Sequence, residues 1–172
     1  ETIEGLEAGA LKRLADLASV ALIQSYRDLE NPDLVLVGRL SRQTNVPLRL
    51  YRNSDPLPRA YWVGRALPED GPSPTALLSG TWNPRASVIL AGIARPEGEE
   101  TGEGSVAWVR REAETLEMKV GPKSAGWVAV TDNDYPGWRA EVDGKRVVIL
   151  RANHLFRAVK VPAGEHRLRF EY

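Results

Sequence analysis

The chain has 172 residues and balances 23 Lys and Arg against 23 Asp and Glu, a length that suits one domain or one domain with an accessory element. The neutral total argues against nucleic acid as a partner. The absence of cysteine excludes a disulfide scaffold, thiolate catalysis and cysteine-ligated metal. No apolar run approaches the roughly 18 residues of a membrane helix, and the opening at Glu1 without a signal peptide reads as an excised fragment or a processed product.

Charge is unevenly spread along the chain. Residues 96–136 carry a net of −5 and residues 137–172 a net of +4.

In chain order, Leu6, Ala10, Leu14 and Leu17 form one apolar stripe and predict a helix over 6–17, weakened by Gly9. Strands are expected at 19–24, 34–40, 46–51 and 59–67, with turns at Asn31-Pro32-Asp33 and at 53–56. A short helix over 72–78, with Ser73 and Thr75 near its start, and a strand over 87–91 complete a small α/β layer spanning 1–95. The stretch 96–104 holds Glu97, Glu99, Glu100 and Glu103 among three glycines and reads as a mobile, solvated, dispensable acidic loop.

Beyond it the pattern becomes strands and tight turns. Strands are expected at 106–110, 115–120, 126–131, 138–142, 145–150, 156–161 and 167–172. Asp143-Gly144 is the strongest hairpin signal, because positive φ at both positions matches strand twist. A second pair is expected around Pro162-Ala163-Gly164-Glu165. The fold class that follows is mainly β: an antiparallel β-sandwich, jelly-roll-like, over 105–172.

Catalytic signatures are missing. There is no dinucleotide loop, no phosphate loop and no nucleophile elbow, and His154 and His166 sit in ordinary turn settings. No cofactor or metal is expected, and the isolated chain is expected to lack turnover. A carboxylate-based glycan hydrolase using Asp132, Asp134 and Glu141 is the runner-up, since such chemistry needs only two well-placed acids. Asp132, Asn133 and Asp134 also have the oxygen ligands that suit a hard cation, although Asx turns use the same residues.

The unusual segment is Thr131 to Arg139. Trp138 and Tyr135 offer ring faces for sugar C–H groups, and Asp132, Asp134 and Arg139 offer polar contacts to hydroxyls. Arg151, Asn153 and His154 occupy a second turn that a sandwich can bring to the same end. Core or corner packing is the plainer role for Trp138.

Asp134-Tyr135-Pro136-Gly137-Trp138-Arg139-Ala140, then Val142-Asp143-Gly144-Lys145, then Arg151 to Val159 and Val161 to His166, resemble the carboxy-terminal region of the YfhO-type bacterial membrane protein family. Tyr51-Arg52-Asn53 and Leu57-Pro58-Arg59-Ala60 resemble the segment leading into it. The resemblance implies a soluble extracytoplasmic part of a polytopic protein similar to lipid-linked-sugar glycosyltransferases. That family's presumed catalytic acids belong to a membrane portion outside this chain. The implied partners are the membrane portion of the same polypeptide and a cell-envelope glycan, with a structural lid on the membrane portion as the alternative role.

Overall fold

The computed structural model describes residues 7–40, 47–70, 74–99 and 101–172. The chain is mainly β and divides into two compact units, one formed by residues 1–58 with 74–82, the other by 59–73 with 83–172.

The first unit contains helix α1 (Ala8–Leu17), strands β1 (Leu22–Ser25), β2 (Leu34–Leu40) and β3 (Leu48–Asn53), and helix α2 (Pro74–Ser79). The strands form an antiparallel sheet in the order β1-β3-β2. Of the predicted stripe, Ala10 and Leu17 are buried and Leu14 is half-buried, whereas Leu6 lies outside the described residues. Ser19 ends α1 at φ 58, and the Val20 N–H reaches back to the Ala15 carbonyl at 2.8 Å, so an orphan carbonyl of the last turn is satisfied. Lys12 is buried because it pairs with Asp16 one turn on at 2.6 Å, and Asp16 also accepts from Asn53 Nδ2 at 2.7 Å. That network ties α1 to β3. Arg13 donates from Nε to the Leu77 carbonyl at 2.9 Å, which supplies a cation and a donor at the C-terminus of α2. Ser73 and the start of the expected 72–78 helix lie outside the described residues, as does Val46 of the expected 46–51 strand.

The second unit is a sandwich of two sheets. Its strands are β4 (Ala60–Val63), β5 (Arg65–Pro68), β6 (Ser87–Leu90), β7 (Glu97–Gly98), β8 (Gly104–Arg111), β9 (Thr115–Pro122), β10 (Gly126–Val130), β11 (Arg139–Val142), β12 (Lys145–Val147), β13 (Leu150–Ala152), β14 (Phe156–Val161) and β15 (His166–Glu171). One sheet runs β4-β10-β14-β13-β6-β5-β7 and the other β12-β11-β15-β9-β8. Alternation does the work. Val128, Val130, Val159 and Val161 from the first sheet meet Leu116, Met118, Val120, Ala140, Val142, Leu168 and Phe170 from the second. Each of the Val, Leu, Met and Phe side chains contributes about 1.5–3 kcal/mol on leaving water.

The Asp143-Gly144 turn takes the expected form, with φ 51 and 76 and the pairs Val142↔Lys145, Glu141↔Arg146 and Ala140↔Val147. Four expectations need correction. The unit boundary does not fall at residue 95, because β4 pairs with β10 and β6 with β13, which puts 60–68 and 87–90 inside the sandwich. The β5–β6 pair is parallel, so the larger sheet is mixed rather than wholly antiparallel. β14 and β15 do not pair with each other: the chain crosses between sheets at 162–165, β14 joining β10 and β13, and β15 joining β9 and β11.

The last correction concerns 96–104, which is largely exposed as expected but is partly tied down by pairing. Glu97 and Gly98 pair with Ala66 and Arg65, Glu97 binds Lys160 at 2.7 Å, and Glu103 pairs with Lys123. Glu100 lies outside the described residues. The glycines there are not loop filler. Gly102 and Gly104, with Gly126 of β10, let the backbone lie against the Trp62 ring, where an added Cβ would fall 2.5–2.6 Å from ring atoms. Composition showed charge and glycine, but not the indole on which those glycines rest.

Candidate functional site

The turn from β10 to β11 and the turn from β13 to β14 meet at one end of the sandwich, where the Asp134 N–H donates to the Leu155 carbonyl at 2.8 Å. Above that contact lies an aromatic group. Tyr172 packs 5.5 Å from Trp138 and 6.4 Å from Tyr135, centroid to centroid, with ring planes tilted by 60° and 35°. Tyr135 is 63% exposed and Tyr172 56%, while Trp138 is half-buried. Gly137 makes the arrangement possible: its φ is 110, and an added Cβ would lie 2.9 Å from the Tyr172 ring.

Beneath the group sits Arg157, only 2% exposed. Its guanidinium carbon lies 3.9 Å from the Trp138 centroid and 5.6 Å from that of Phe170. Nη2 donates to Asp132 at 3.3 Å, while among the described residues Nε and Nη1 have no hydrogen-bond acceptor, so the ring faces supply the remaining attraction. Burial pulls the Arg157 pKa below its usual value, and Asp132 pulls it back. Asp132 also accepts from Arg59 Nε at 2.8 Å, which leaves this carboxylate committed to two arginines.

A shallow cleft of about 290 Å³ adjoins the group, lined by Trp138, Arg139, Ala140, Arg146, Val147 and Ile149. Its chemistry is an aromatic wall, an aliphatic floor and two arginines. Among the described residues no three His, Asp or Glu side chains gather as metal ligands, and no helix is long and apolar enough to cross a membrane.

The structure therefore sorts the eight residues singled out from sequence. Tyr135, Trp138 and Arg139 stand together, with exposed Asp134 in the turn beside them. Asp132 underpins them through Arg157 instead of facing outward. Arg151 binds both oxygens of Glu69 at 2.9 and 2.8 Å, and His154 Nδ1 lies 3.6 Å from the same carboxylate. Asn153 is a core residue. It is 2% exposed, accepts the Ile89 N–H at Oδ1 (2.9 Å), donates its own N–H to the Ile89 carbonyl (2.8 Å), and donates from Nδ2 to the Tyr61 hydroxyl at 3.0 Å. Burial pushes the Tyr61 phenol up to about 12, so it stays a neutral partner. The side chains of Arg151, Asn153 and His154 thus serve the β5–β6 side of the sheet, although their turn lies at the expected end.

Sequence reasoning missed Tyr172 and Arg157. The signal for Arg157 was present: a cation between Phe156 and Ala158 in an otherwise apolar strand whose other cation, Lys160, is exposed. Compared with protein-family models, with curated proteins and with solved structures, the chain matches none.

Proposed function

We propose that this chain is a noncatalytic extracytoplasmic module whose aromatic end positions a cell-envelope carbohydrate for an attached membrane glycosyltransferase-like portion. The membrane context rests on the resemblance of residues 127–172 to the YfhO-type family. The observation that carries the binding role is the exposed Tyr135–Tyr172 pair set against Trp138 and the Arg139–Arg146 cleft. Ring faces pack on sugar C–H groups, the arginines donate to hydroxyl or acidic substituents, and tethering relaxes the affinity needed. Arg157 fixes the Trp138 ring from behind, which lowers the ordering cost of binding.

The test is a titration of envelope glycan fragments followed by nuclear magnetic resonance at the Trp138 indole N–H and the amides of 134–139 and 146–149. Saturable shifts at millimolar ligand, lost in Tyr135→Ala and Arg139→Ala, support the reading. No shift at that concentration removes it.

The second reading is a lid that packs on its own membrane portion. It is favoured by the exposed Leu155 beside Tyr135 and by the internal bonding of Asp132, Asn153 and Arg151. A hydrolase is disfavoured, because Asp132 is neutralised by Arg59 and Arg157.

A further inference from the structure

The outward face of the β12-β11-β15-β9-β8 sheet carries a charge pattern with one break in it. Arg146, Glu141, Arg169, Glu117 and Arg110 lie opposite one another across the five strands, alternating in sign at every step. Cross-strand pairs of opposite charge stabilise a sheet and like charges oppose it. At the centre, Glu117 accepts from Arg167 Nη2 at 2.6 Å and lies 3.6 Å from Arg169, and the Arg167 bond holds its carboxyl below the usual range.

The row of Arg167, Lys119 and Ala107 breaks the rule, because Arg167 stands directly opposite Lys119. Among the described residues Lys119 has no ion pair. Beside it β8 bulges: Trp108 pairs with Met118 and Arg110 with Glu117, so Val109 is the extra residue. The bulge turns Val109 outward, 51% exposed, into a cleft of about 430 Å³ whose other lining residues are Lys119, Glu165, His166 and Arg167.

His166 is fixed in place by Asp143 at 2.6 Å from Nδ1 and by the Ala163 carbonyl at 3.2 Å from Nε2. Asp143 offsets its charge and Glu117 is shared between Arg167 and Arg169, while the Glu165 carboxylate rests over Gly121. The unmatched charge of this row, among the described residues, is thus Lys119, which stands opposite Arg167, itself held by Glu117 through Nη2, with apolar Val109 at their side.

We propose that this cleft binds the phosphate group of an organic phosphate monoester, the oxyanion bridging Lys119 and Arg167 and the carbon portion resting on Val109. An oxyanion there turns a like-charge repulsion into two charge-assisted hydrogen bonds. The site is separate from the aromatic end and does not depend on the function proposed for it.

Phenyl phosphate, inorganic phosphate and phenol are titrated into the intact chain, followed by the amides of residues 107–110, 119 and 165–167. Phenyl phosphate is expected to shift them saturably and more tightly than inorganic phosphate, with phenol silent. Lys119→Gln weakens binding about tenfold or more, while Lys119→Arg keeps it and Val109→Ser removes the advantage of the phenyl group. Vesicles with and without phosphatidic acid form the second arm. A Lys119-dependent response to those vesicles alone keeps the oxyanion chemistry and assigns its source to a lipid headgroup. Silence in both arms, or binding unchanged in a folded Lys119→Gln variant, overturns the proposal.

Discussion

Replacing Asn153 by alanine tests the claim that this residue holds the sheet together and does not serve a ligand. Its side chain and backbone bracket Ile89, and its amide also donates to Tyr61, all in a buried setting. Alanine leaves the Ile89 N–H without an acceptor and the Tyr61 hydroxyl without its donor. An orphaned buried donor costs about 1–3 kcal/mol and the second lost bond about 0.5–1.5 kcal/mol. Position 153 sits at φ 49, a conformation that Asn tolerates better than Ala, which adds a few tenths to about 1 kcal/mol. The sum is about 3 kcal/mol, or roughly 6–12 °C in melting temperature for a domain of this size. Urea unfolding read by tryptophan fluorescence measures it, since Trp62, Trp108, Trp127 and Trp138 all belong to the sandwich. A Tyr61→Phe variant and the double variant close a cycle in which the coupling is about 0.5–1.5 kcal/mol. Glycine at 153 relieves φ and isolates the hydrogen-bond loss. A destabilisation of Asn153→Ala below about 0.5 kcal/mol, within the range of an ordinary surface change, refutes the assignment.

Gly104→Ala drives a methyl to within 2.5 Å of the Trp62 ring and is expected to cost about 1–3 kcal/mol in the same assay. Gly9→Ala, on α1 where the nearest atom is the far end of Arg13 at 3.5 Å, is expected to stabilise by up to about 1 kcal/mol. Asp132→Asn removes the carboxylate under Arg157 and is expected to cost about 1–3 kcal/mol, seen as a lower urea midpoint; unchanged stability would show the pair to be idle. The Asp143–His166 pair gives a pH signature. Its hydrogen bond to Asp143 raises the His166 pKa, so the contribution is complete below the ordinary value of about 6.5 and is lost as pH rises through the raised one. Asp143 is held below the usual carboxylate range, first by the Arg167 N–H and then by His166, so its share is lost only as pH falls through that depressed value. His166→Gln should flatten the decline in stability above pH 6.5, and an identical slope in both proteins would contradict it.

What the sequence made legible was local. The Asp143-Gly144 hairpin, the strand over 156–161 and the sandwich class follow from turn chemistry and period-2 alternation, and the structure has all three. What stayed hidden was pairing. Nothing within 59–67 says that β4 lies beside β10, nor that Gly64 splits the expected single strand in two where the 97–99 segment comes across. The acidic stretch misled for the same reason, since the partner that fixes it, Trp62, is remote in the chain. Asn153 shows the limit most clearly. A polar residue in a turn has the same composition signature whether it awaits a ligand or satisfies a buried amide, and only the position of Ile89 decides.

The same ambiguity explains why the candidate site shrank and changed character. Of the polar groups near Trp138, Asp132 lies below the aromatic end, bound to an arginine that faces the ring from the core side. A buried guanidinium with one carboxylate contact is expensive, and apolar residues of similar volume would often serve stability as well. Its cost is understandable if the orientation of Trp138 matters. Arg157 holds the indole by attraction to its face while Tyr172 closes from another direction, and the exposed Tyr135 extends the surface outward. Replacing Arg157 by methionine separates the two roles. A purely structural arginine predicts lost stability with the Trp138 indole resonance unmoved. An arginine that orients the platform predicts a shifted, broadened indole resonance and weaker glycan response in the folded variant. Stability and indole order respond separately to this one substitution, and the second of them decides whether the aromatic end is a built surface or only the place where the core runs out.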